Sequence, residues 1–88
     1  MSKSIDRYSL KVVRELKYQR FHHVDPRIRQ LIIVVYYYAK GMSASQIAAI
    51  EPLPESLIHA IIQSYEQGGI RALEDSTFLS EDDRRETP

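Results

Sequence analysis

The chain has no cysteine and no tryptophan, only three glycines, and no lysine or arginine between Lys40 and Arg71. Without cysteine there is neither a disulfide framework nor a thiolate metal site, which fits a reducing compartment. The longest apolar run, Leu31 to Ala39, is nine residues, and a membrane helix needs about 20. The N-terminal stretch MSKSIDRYSLKVVRELK carries charges throughout and lacks the apolar centre of an export signal. These absences lead us to expect a soluble cytoplasmic protein. With 88 residues it has room for one small domain of modest stability, burying about 60–65% of the surface its unfolded chain exposes.

Twelve Lys/Arg balance twelve Asp/Glu, so the formal net charge is zero. Taken alone, that argues against strong binding to a phosphate backbone, which cationic side chains drive. The distribution is uneven. Residues 1–40 hold nine Lys/Arg and three acids, a balance of +6, whereas residues 41–88 hold three and nine, a balance of −6. Such a split is a hint of nucleic-acid contact, of association between opposite halves, or of an acidic tail.

Along residues 5–20, Ile5, Tyr8, Val12, Val13 and Leu16 recur at helical spacing, with Lys3, Arg7, Lys11 and Arg14 on another side. This predicts a basic amphipathic helix, although the alternation in LKVVRELKY also suits a strand. Residues 21–24 (FHHV) read as a connector. Asp25-Pro26 then marks a helix start, because Asp accepts from the first-turn amides and proline has no donor to lose there. That helix should run to Lys40, where Gly41 supplies the left-handed residue that commonly ends one. Its centre, LIIVVYYYA, is apolar all round and has to be covered on more than one side, by the N-terminal helix or by a second subunit.

Ser43 and Gln46 have the spacing of a capping box, with Met42 and Ile47 placed as its hydrophobic staple. The short helix they open should end near Ile50, because Pro52 disfavours the α conformation at Glu51. Pro54 restarts the chain as a helix with Glu55 in its first turn. Leu57, Ile58, Ile61, Ile62 and Tyr65 form its buried face, opposite Glu55, Ser56, His59, Ala60, Gln63 and Ser64. Gly68-Gly69 should stop it, with Ile70, Ala72 and Leu73 folding back as a short turn under the core. Residues 76–88 read as an acidic, disordered tail.

From Asp25 to Asp75 these features resemble, as a set, the N-terminal DNA-binding region of mariner-like insertion-sequence transposases, and more broadly homeodomain-like helix-turn-helix units. The residues that carry the resemblance are Asp25-Pro26-Arg27 with Arg29, then Lys40-Gly41-Met42-Ser43 and Ser45-Gln46-Ile47-Ala48. They continue with Ile58, Ile61 and Tyr65, and close with Gly68-Gly69-Ile70 and Ala72-Leu73-Glu74-Asp75. The resemblance implies an all-α fold, with an amphipathic helix and connector over 1–24 and a three-helix unit over 25–75. Leu31, Ile32, Val35, Ile47, Ala48, Ile58, Ile61, Ile62 and Tyr65 are its expected core. Pro52 stands where that family carries a turn glycine, and a proline ring opposes positive φ, so the turn should be built differently. The transposase catalytic domain has no counterpart in this sequence, and transposase chemistry is not expected.

On this reading the helix from Pro54 to Gln67 enters the major groove, with Glu55, Ser56, His59, Ala60 and Gln63 facing the bases. Lys3, Arg7, Lys11, Arg14, Arg27, Arg29, Lys40, Ser43 and Ser45 are the candidate backbone contacts. Adjacent His22 and His23 read as a solvated pair rather than metal ligands, and Tyr36, Tyr37 and Tyr38 as packing residues rather than base-stacking ones. No catalytic set, metal site or cofactor pattern is present in the residues. A non-enzymatic DNA-binding protein is expected, a transcriptional regulator or transposase-derived module, dimeric because one unit offers few contacts, and nucleoid-associated in the cytoplasm. The alternative is a degenerate helix-turn-helix used for protein interaction or dimerisation.

Overall fold

The computed structural model describes residues 7–76 and residue 78. Over this span the chain forms four helices and no strand: α1 (Leu10–His22), α2 (Pro26–Ala39), α3 (Ala44–Ile50) and α4 (Glu55–Glu74). The fold is all-α, as expected, and LKVVRELKY is helical throughout. No described helix is long and apolar enough to cross a membrane. Lys3, Ile5 and the expected tail, apart from Ser76 and Phe78, lie outside the described residues.

Helix α1 begins at Leu10 instead of Ile5. The Ser9 side chain caps it by accepting from the Val12 amide, and the residues before it are held elsewhere, the Arg7 amide donating to the Ala39 carbonyl at 2.7 Å. It also runs past Arg20 to His22, so that the expected connector shrinks to His23–Asp25, opened by the extended backbone of His23 (φ −64°, ψ 139°).

The remaining boundaries follow local chemistry. Asp25 Oδ1 accepts from the Arg27 amide at 2.9 Å and opens α2. At the other end Gly41 takes φ 104°, its amide donates to the Tyr38 carbonyl and the Met42 amide donates to that of Tyr37. This pair of bonds closes a helix around a left-handed residue. The predicted capping box is formed reciprocally, with Gln46 N donating to Ser43 Oγ at 3.1 Å and Ser43 N to Gln46 Oε1 at 2.9 Å.

The four-residue turn from 51 to 54 departs from expectation. Pro52 has φ 23°, and it is the one described non-glycine residue with positive φ. The ring prefers about −65°, so the proline is strained. It is held there because Leu53 packs against the core and α3 and α4 are anchored on either side. The Gly68-Gly69 stop also differs: Gly69 (φ 71°, ψ −162°) breaks the helix, but the chain resumes helical geometry to Glu74 in place of a turn.

Helix α2 is the centre. Both α1 and α4 pack along it and α3 closes against α4 and α2. The all-round apolar run is therefore covered within one chain, and its burial requires no second subunit. Leu31, Ile32, Val35, Ile47, Ile58, Ile61 and Ile62 are buried as expected, while Ala48 and Tyr65 are only half-buried. Val13 and Leu16 of α1, with Ile28, Val34, Ala39, Ala44 and Leu73, complete the core.

Candidate nucleic-acid interface

Helix α4 presents two sides. Ile58, Ile61 and Ile62 are buried, while Glu55, Ser56, His59 and Gln63 are exposed and Ala60 is half-buried. Spacings of three and four residues put side chains in line on a helix, so Ser56, His59, Ala60 and Gln63 share one outer surface. Glu55 Oε2 lies 3.7 Å from His59 Nε2. Ser56 and Gln63 hydrogen-bond to no other described residue through their side chains.

The basic residues are used quite differently from the expected stripe. Arg7 is a clasp on the C-terminus of α2: its Nε donates to the Tyr38 carbonyl at 2.9 Å, and its Nη2 to those of Gly41 (3.3 Å) and Met42 (3.1 Å). Its guanidinium carbon also lies 4.1 Å from the centre of the Tyr38 ring. A helix C-terminus carries unpaired carbonyls and partial negative charge, and Arg7 satisfies both. It is not a free phosphate contact. Arg27 folds back on Asp25 through Nε and Nη2 at 3.4 and 3.3 Å; this side-chain bond, followed by the Arg27 amide, holds the Asp25 carboxyl below the usual carboxylate range. Arg29 Nη1 donates to the His23 carbonyl. Ser43 is engaged in the capping box, whereas Ser45 and Lys40 are exposed on either side of it.

Lys11 and Arg14 are exposed, but they do not converge on the outer face of α4. Burial, and after it the carboxylate of Glu15, raises the Tyr65 phenol, so the Glu15 side of α1 is the one turned towards α4. Residues advance about 100° each around a helix, which puts Arg14 and Lys17 on the flank away from α4 and Lys11 nearer to Glu15. At the start of α1, Tyr8 Oη donates to Glu66 Oε2 at 2.9 Å and its ring lies 5.8 Å from that of Tyr65. Burial and then this hydrogen bond push the Tyr8 phenol far up.

His22 and His23 are not a solvated pair. His22 stacks on Tyr18 with ring centres 3.9 Å apart. The His23 side chain, 11% exposed, accepts from the Asp25 amide at Nδ1 and therefore donates from Nε2 to Glu74, 2.7 Å away, tying the connector to the end of α4. The three tyrosines are all half-buried against the core, and guanidinium groups lie over two of them, Arg20 on Tyr36 and Arg7 on Tyr38. The clasp roles of Arg7, Tyr8 and His23 had no local signal in the sequence, since their partners are distant in the chain. The exposed apolar residues Leu10 and Phe21 do carry one, their register with Arg14 and Lys17.

The class these features define is a four-helix all-α unit whose last two helices, the short α3 and the long α4, are joined by a tight turn. Compared with protein families, with curated proteins and with solved structures, the chain matches none.

Proposed function

We propose that the chain is a small, non-enzymatic helix-turn-helix DNA-binding unit in which α4 enters the major groove, either a transcriptional regulator or a transposase-derived binding module. The observation that supports this most is the outer surface of α4: Ser56 and Gln63 are exposed and unused by the fold, on a helix whose other side is anchored in the core. A reading helix needs hydrogen-bonding side chains that are free to meet base edges, and a glutamine can pair bidentately with adenine. Arg7, held on the end of α2, would not supply backbone charge. With few cations on this side, the salt dependence should be shallower than the N-terminal charge count alone suggests.

A duplex-binding titration across salt, on the wild type and on Ser56→Ala with Gln63→Ala, tests the reading. The double variant should lose about ten-fold or more in affinity for a selected site, since one good base contact is worth about 1–3 kcal/mol, and should keep its non-specific binding. Absence of duplex binding by the wild type at low salt sinks the proposal. A second reading, a protein-interaction module, draws on a separate observation: α4 carries no Lys or Arg before Arg71, and Glu51 and Glu55 stand at its start.

A further inference from the structure

The flank of α1 turned away from α4 carries Leu10, Arg14, Lys17 and Phe21 at the i, i+4, i+7, i+11 spacing that lines side chains along a helix. Leu10 is 60% and Phe21 65% exposed, with two cations between them that have no ion-pair partner among the described residues. Tyr18 borders the line, held flat against His22. Single exposed apolar side chains are ordinary. A row of them in helical register, interleaved with unpaired cations, is how a helix presents itself to an acidic, apolar partner surface.

The α3–α4 corner offers the converse chemistry. Ile50 is 51% exposed at the end of α3, Glu51 follows it, and exposed Glu55 opens α4. Helices α1 and α3 do not pack on each other, so the two surfaces are separate on one molecule.

We propose that these surfaces are the two halves of one interface, the α1 flank of one molecule docking on the Ile50–Glu55 corner of a second copy. Arg14 and Lys17 would meet Glu51 and Glu55, and Phe21, at the end of the row next to Lys17, would cover Ile50. Because the halves differ, the contact is head-to-tail and extends into chains, whereas a two-fold pairing of α1 flanks would set Arg14 and Lys17 against like charges. The inference does not depend on DNA reading; since Glu55 heads α4, a docked copy would compete with DNA for that end of the helix.

Sedimentation velocity on the full chain over a range of concentrations tests it, with circular dichroism confirming that each variant is folded. The average mass should rise with concentration at low salt and fall as salt is added. Arg14→Glu with Lys17→Glu, and separately Glu51→Lys with Glu55→Lys, should each weaken association about ten-fold or more. An equal mixture of the two reversed proteins should associate again, because every flank then finds a corner of opposite charge. Leu10→Ser with Phe21→Ser should also associate less. A wild type that stays monomeric throughout overturns the proposal, as does a mixture that fails to associate or a discrete dimer unaffected by the corner reversal.

Discussion

Arg7 illustrates how a charged side chain can leave the binding inventory of a surface. Five contacts engage it at once: its backbone amide on the Ala39 carbonyl, its guanidinium on the carbonyls of Tyr38, Gly41 and Met42, and the Tyr38 ring beneath. The site is solvent-exposed, so the net contribution is modest, roughly 1–2 kcal/mol for the hydrogen bonds and ring contact together. Arg7→Ala should therefore lower the Tm by about 5–10 °C in a calorimetric scan. Arg7→Lys should recover less than half of that, because an ammonium lacks the planar fork. Neither should change the salt slope of duplex binding; a flattened slope would return Arg7 to the phosphate contacts. In the sequence Arg7 is indistinguishable from its neighbours in the row Lys3, Arg7, Lys11, Arg14. Its partners lie 31 to 35 residues away, and no spacing rule connects them.

Elements whose ends are decided within four residues were readable from the sequence. The Asp25-Pro26 start of α2, the Gly41 close and the Ser43–Gln46 box all formed where predicted, since each cap is a bond between near neighbours. The start of α1 was not, because Arg7 and Tyr8 are drawn to α2 and α4 and Ser9 becomes the cap. Pro52 is the case in which tertiary anchoring overrides local preference. Backbone strain of this kind costs on the order of 1–3 kcal/mol, and replacing the proline by glycine gives back roughly 0.4–1 kcal/mol through the freer unfolded chain. Pro52→Gly is accordingly expected to stabilise, by up to about 2.5 kcal/mol, seen as a higher urea midpoint with an unchanged m value. A lower midpoint would show that the turn bears no such strain.

At the scale of the whole molecule, α2 is wrapped by the other three helices and the segment after Gly69 belongs to the domain, because Leu73 is fully buried. Leu73→Ala should cost about 2–5 kcal/mol, a large share of the 5–15 kcal/mol typical of a small domain. Urea unfolding would show this, and a loss under about 1 kcal/mol would place Leu73 at the margin of the core. The apolar periodicity, the caps and the glycine and proline positions by themselves determined an all-α chain and most of its core, because burial and capping are imposed through residue type and short spacing. The destination of each charge was decided only by the tertiary structure. The N-terminal cations are divided among a helix C-terminus, tyrosine faces, a paired aspartate and an open flank of α1, since a charge fixes a preference for some partner while the packing of α1 and α4 on α2 determines which partner is within reach.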